Sequence, residues 1–164
     1  MNRFPNDNEA GRAIGQCLSS RGWTLATAES CTGGTVASMV TAVAGSSAYF
    51  RGGVVSYAVA VKEQVLGVRL RDGIVSEDTA RQMAEGAARV CGADCAVATT
   101  GVAGPGPSDG RPQGTVCICA LTPHAVLSRT FSFEGDREAV ILQAAVAALQ
   151  MLQGLIADEN EKNG

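Results

Sequence analysis

Helical and extended patterns alternate along this chain in an order that leaves few folds open. Between Glu9 and Ser20, Ala13, Ile14, Cys17 and Leu18 recur at helical spacing, and Arg21-Gly22 supplies a C-terminal stop. Trp23 to Glu29 reads as a short buried strand that runs directly into Ser30. A second helix follows at once, from about Thr32 to Val43, with Val36, Met39, Val40 and Val43 on its apolar stripe. Tyr49 to Tyr57 is β-branched and aromatic enough for another strand, with Gly52-Gly53 allowing a bulge or a close backbone approach. After a short helix near Val61 to Leu66, Ser76 caps a longer one that runs through Val90 to Gly92, and Cys95 to Thr100 reads as a central strand. A hairpin, Thr115 to Leu121 and Val126 to Phe133 turning at Thr122-Pro123-His124, precedes a final helix from Asp136 to about Ala157, beyond which the chain is expected to fray. No repeat or linker interrupts this order. It predicts one α/β domain over residues 1–164, ordered from about 8 to 157, in which three layers (α/β/α) enclose a mixed, mostly parallel sheet.

Composition narrows the partners. The chain is 46% apolar but only 4% aromatic, so its core is built mostly from Ala, Val and Leu, and 164 residues suffice for it without metal or disulfides. A net charge of −3 with scattered Lys and Arg offers no basic stripe for nucleic acid, which points to small-molecule ligands instead. The polar start, Met1 to Asn8, lacks the apolar run of an export signal, and the apolar stretch Ala139 to Ala157 is interrupted by Gln143, Gln150 and Gln153. The expectation is a cytoplasmic protein with no membrane partner. Its six cysteines are then reduced thiols. Cys91/Cys95 and Cys117/Cys119 lack zinc-knuckle spacing and His124 is the only imidazole, so no metal site is predicted.

The polar chemistry gathers where strands meet loops. Ala28-Glu29-Ser30-Cys31-Thr32-Gly33-Gly34-Thr35 carries a strand into a helix, and free N–H groups at such a helix start can hold a phosphate or a developing oxyanion. The plain alternative is that Ser30 or Thr32 is an N-cap and the glycines a tight turn. The segment has neither the lysine of a P-loop nor the Gly-x-Ser-x-Gly of a nucleophile elbow, and a Ser-His-Asp triad would require the His124 turn to reach the cleft. Lysine is the other side chain able to activate a serine, if burial lowers its pKa. Only Lys62 and Lys162 exist, and Lys62, between Val61 and Val65, has the apolar setting, although a surface position beside Glu63 fits the same pattern. A Gly/Pro-rich stretch from Gly101 to Pro112 forms a loop of a length that is usually functional or mobile.

These residues resemble a known family, the C-terminal domain of the CinA competence/damage-inducible proteins, which includes nicotinamide mononucleotide amidohydrolases. The resemblance covers nearly the whole chain. It rests on Thr27-Ala28-Glu29-Ser30-Cys31-Thr32-Gly33-Gly34, Ala44-Gly45-Ser46-Ser47-Ala48-Tyr49-Phe50, Tyr57 with Lys62 and Leu66-Gly67-Val68, Gly101-Val102-Ala103-Gly104-Pro105, Gly114-Thr115-Val116 and Phe133-Glu134-Gly135-Asp136-Arg137. It implies a cofactor-free Ser/Lys amidase that converts nicotinamide mononucleotide to nicotinate mononucleotide and ammonia. Ser30 would be the nucleophile with Ser47 as its rival, Lys62 the base and then acid, and Tyr57 a relay or hydrogen-bond partner. Thr32, Gly33 and Gly34 would offer backbone donors, Thr100 and Gly101 would line the cleft, and Gly104 with Arg137 would hold ribose or phosphate. Arg137 fits equally well as a surface residue of the last helix. A homo-oligomer is implied by the resemblance and by Ile141 and Leu142 on that helix. The chain departs from the family pattern at Ala58-Val59, where Ser-Asn is usual, in the Gly104 to Ser108 loop, and at Ile141 and Leu142, where arginine is frequent. A diverged, non-catalytic nucleotide-binding or interaction module is therefore the alternative.

Overall fold

A computed structural model describes residues 3–163. The elements are α1 (Glu9–Arg21), β1 (Leu25–Glu29), α2 (Thr35–Thr41), β2 (Phe50–Val55), α3 (Val59–Gln64), α4 (Glu77–Cys91), β3 (Cys95–Gly101), β4 (Thr115–Leu121), β5 (Val126–Ser132) and α5 (Arg137–Lys162). The strands form one sheet in the order β2-β1-β3-β4-β5. Pairing is parallel from β2 through β1 to β3 and antiparallel from β3 through β4 to β5, so β4 alone runs against the other four. The family of folds expected from the pattern, a three-layer α/β/α domain on a mixed sheet, is the one observed.

Strand periodicity divides the core in two. Leu25, Cys95, Val97, Val116 and Ile118 face α1, α2 and α5, whereas Ala26, Ala28, Ala96, Ala98, Cys117 and Cys119 face α4. The second face is built of small residues, which lets α4 lie close against it. Close approach also fixes the loop after α3: a Cβ on Gly86 of α4 would stand 2.3 Å from the Leu66 carbonyl oxygen. Backbone cannot yield there as a side-chain tip can. Gly86→Ala is expected to destabilise the domain by about 1–3 kcal/mol, read as a lower urea midpoint at unchanged slope.

The helix boundaries follow from caps. Ser76 accepts the Thr79 N–H at the start of α4 and Asp136 accepts the Ala139 N–H at the start of α5, while Gly22 and Gly92 end α1 and α4 in the left-handed conformation. Most boundaries shift by one or two residues from expectation, and two of the shifts have a visible cause. Helix α2 begins at Thr35 rather than Thr32, because Gly33 and Gly34, at φ 55° and 105°, make a turn first. Helix α5 continues to Lys162 instead of fraying at Asp158, because Glu159 is buried and accepts the Thr122 hydroxyl from the β4–β5 turn, and Asn160 accepts from Arg21. Length and composition would let α5 cross a membrane. Here its Ala144, Ala145, Ala148, Leu149, Leu152 and Ile156 are buried in the core instead.

Candidate active site

The site arises from two neighbouring strand ends. Parallel pairing sets Glu29 of β1 opposite Val55 of β2, and the ladder continues one step further as Ser56 N–H donates to the Glu29 carbonyl at 2.8 Å. On the other side the Ser30 N–H donates to the Thr99 carbonyl of β3 at 3.0 Å, so the backbone of Ser30 is held from the sheet. Alternation that turns Glu29 toward α2 turns Ser30 toward the α3 layer, where the chain brings Lys62 back to it.

Lys62 is 1% exposed and its Nζ donates to Ser30 Oγ at 3.0 Å, to the Ser56 carbonyl at 2.5 Å and, at the longer distance of 3.4 Å, to the Tyr57 carbonyl. The amine has no carboxylate partner within this set. Burial therefore lowers its pKa from the ordinary lysine value, opposed by the nearby Cys31 and Asp109. Burial likewise holds the Cys31 thiol near 12. At neutral pH that thiol is uncharged, which leaves Asp109 as the charge that opposes the shift.

Ser30, Cys31, Tyr57, Gly101, Gly104, Asp109 and Arg137 are among the residues lining a cleft of about 330 Å³. Arg137 closes one side: its guanidinium donates to the Gly104 carbonyl at 2.5 Å and to the Tyr57 hydroxyl at 2.8 Å. It is exposed on the first turn of α5, and these two contacts hold it at the cleft. A larger hollow of about 670 Å³ lies between the N-terminal segment and α2, but neither Ser30 nor Lys62 lines it.

Two expected site residues, Ser47 and Thr100, stand outside the cleft lining. Ser47 is exposed in the turn before β2, at the opposite end of the parallel strands from Ser30, and His124 is at that far end too, with its ring against Trp23. The strands themselves keep both away from Lys62. Tyr57 lines the cleft, but the residue is 60% exposed, its hydroxyl accepts from Arg137, and only its backbone carbonyl reaches Lys62. Thr100 is buried with its hydroxyl donated to the Ile74 carbonyl, and it does not line the cleft.

A buried carboxylate stands at the start of α2. Glu29, 1% exposed, places its carboxylate there: Oε1 accepts from Thr32 Oγ1 at 2.6 Å and from the Val36 N–H at 2.8 Å, and Oε2 accepts from the Ala37 N–H at 3.1 Å. Thr32 also shares a hydrogen bond with Thr99, the Gly33 N–H donates to the Ser30 carbonyl, and the Thr35 N–H donates to the Thr32 carbonyl. The chain's own carboxylate thus takes up two amides of the first turn of α2, and Thr32, Gly33 and Gly34, which form the turn before it, are not among the residues that line the cleft. Glu29, Ser56 and Asp109 are the residues that sequence reasoning missed. Glu29 lies seven and eight positions before the amides it binds, outside the three-residue spacing of a capping box, and Ser56 acts through a backbone carbonyl that any residue would carry.

Proteins of similar sequence and structure are known. Residues 7–156 match the family model described as the CinA C-terminal domain. The chain is 46% identical over 145 residues to the nicotinamide-nucleotide amidohydrolase PncC of Escherichia coli K12, covering 85% of this chain and 88% of that protein. A CinA-like protein of Geobacter sulfurreducens is 45% identical over 152 residues, and there the chain spans only 37% of the relative's length. Among solved structures, the competence/damage inducible protein CihA from Agrobacterium tumefaciens superposes with a TM-score of 0.89 at 39% identity, over 94% of this chain and 99% of that one. A CinA superfamily protein from Klebsiella pneumoniae gives 0.88 at 38% identity, over 93% and 99%. Because the match takes in the sheet, both helical layers and the loops that bring Lys62 to Ser30, this chain belongs to the CinA C-terminal domain family.

Proposed function

We propose that the protein is a nicotinamide-nucleotide amidohydrolase in which Ser30 attacks the carboxamide carbon and Lys62 manages the protons. The observation that carries this reading is the 3.0 Å contact between a serine hydroxyl and a buried amine without a carboxylate partner at the cleft. Its likeness to PncC supplies the substrate class.

The neutral Lys62 amine takes the Ser30 proton as Oγ bonds to the carboxamide carbon, giving a tetrahedral oxyanion. With the Val36 and Ala37 amides committed to Glu29, the cationic group in contact with Ser30 is the Lys62 ammonium just formed. Lysine then returns the proton to the leaving nitrogen, the C–N bond breaks and ammonia departs. Water attacks the remaining ester through the same amine, releasing the carboxylic acid and restoring Ser30. The Ser56 carbonyl, accepting from Nζ at 2.5 Å, holds the amine in place throughout. No cofactor enters these steps.

Arg137 is suited to the substrate phosphate, since its guanidinium stands at the cleft and is already oriented by Tyr57 and Gly104. Incubation with nicotinamide mononucleotide is expected to release ammonia and nicotinate mononucleotide in equal amounts. Arg137→Ala should raise KM for the nucleotide about tenfold and leave the phosphate-free riboside little changed. Binding of the nucleotide without ammonia release would favour the non-catalytic module instead.

A further inference from the structure

Asp109 is the one carboxylate among the residues that line the cleft, and the reaction as derived above gives it no part. Its position is set locally. Ser108 and Arg111 exchange both backbone hydrogen bonds, at 3.1 and 2.9 Å, and close a tight turn in which Asp109 and Gly110 stand at φ 52° and 72°. Asp-Gly is a residue pair that favours such a turn. The turn carries the carboxylate to the cleft wall, at a place where its charge is felt by Lys62. The other charged group of the lining, Arg137, is anchored on Tyr57 and Gly104.

We propose that Asp109 is a specificity-determining residue that holds a positively charged ring beside Ser30, so that the site selects pyridinium carboxamides over neutral ones. This rests on the amidase reading of the same cleft. A nicotinamide ring attached to ribose through its nitrogen bears a permanent positive charge. In this cleft the charge would otherwise face only Arg137 and, during turnover, the Lys62 ammonium, both of like sign. Asp109 is the lining group of opposite sign. Pairing with the ring also takes up a negative charge that would keep the proton on Lys62, so a cationic substrate favours the neutral amine that the first step uses.

The test compares nicotinamide mononucleotide with its dihydro form, which keeps the carboxamide, ribose and phosphate but has a neutral ring. Asp109→Asn is the variant, because Asn-Gly suits the same turn. The ratio of kcat/KM for the charged over the neutral ring is expected to fall about tenfold, mostly through KM for the charged compound. An unchanged ratio, including an equal loss on both compounds, overturns the proposal. Dissociation constants of both compounds, measured on Ser30→Ala with and without Asp109→Asn, separate the two readings. If the wild type releases no ammonia yet Asp109-dependent preference for the charged ring is seen in binding, the amidase reading fails and the ring site stands. If turnover is normal and the preference ignores Asp109, the ring site alone fails.

Discussion

Replacing Lys62 by methionine is expected to lower ammonia release by about 10³- to 10⁴-fold, with Ser30→Ala falling as far and the double variant little further. The two side chains act as one unit across a 3.0 Å contact, so their losses will not add. Methionine preserves the length and apolar stem of lysine, which keeps α3 and the Leu66 loop packed while removing the amine. The pH dependence carries a second signature. Only the neutral amine accepts the serine proton, so kcat/KM rises as pH rises through the Lys62 pKa, which burial has lowered below the ordinary lysine value. Stability follows with a defined sign. Between the lowered folded value and an unfolded value of about 10.4, the unfolded chain holds a proton that the folded chain has lost, so the contribution of Lys62 to stability rises with pH across that window. Below it both states are protonated and the full cost of burying the ammonium applies. Urea unfolding from pH 7 to 10 should therefore show wild type gaining on Lys62→Met. A difference independent of pH would mean that the amine is not desolvated. The raised thiols of Cys95 and Cys119 act in the opposite sense as pH rises, but they are common to both proteins and cancel in the comparison, whereas the Cys31 thiol, coupled to Lys62, is pushed further up in Lys62→Met.

Glu29→Ala is expected to be the most destabilising single change near the site, by about 3–5 kcal/mol. Three donors would lose their acceptor, Thr32 Oγ1 and the Val36 N–H in buried positions and the Ala37 N–H in a partly buried one. For a domain of this size each kcal/mol lowers Tm by about 2–4 °C, so Tm should fall by roughly 6–20 °C. Ammonia release should fall as well, since the turn that follows Ser30 is held at Thr32 by the same carboxylate. Glu29→Gln keeps one acceptor oxygen and should recover part of the lost stability. If Glu29→Ala unfolds like wild type, the carboxylate is not the cap described here.

How far the site was legible depends on the distance over which its parts are assembled. Ser30 was marked by a strand running into a Gly-Gly turn, and Lys62 by being one of two lysines in the chain and the one in apolar surroundings, both local properties of the sequence. Which groups occupy the start of α2 was not local. The Thr32-Gly33-Gly34 pattern looks the same whether the amides of the helix that follows it await a ligand or, as at Val36 and Ala37, are already bound by Glu29, and the sheet had to orient Glu29 before that could be decided. Ser47 shows the same limit. Its motif is as distinctive as that of Ser30, yet the parallel pairing of β1 with β2 leaves the two serines at opposite ends of the strands.

The order of apolar periodicities, caps and glycine turns by itself determined the layers of this protein, because each element's hydrophobic face and stop signals lie within its own segment. Tertiary structure alone decided that Lys62 reaches Ser30, that Glu29 closes the helix start and that Arg137 meets Tyr57. Those contacts join residues 7 to 80 positions apart, where strand register and burial rather than local pattern set the distance.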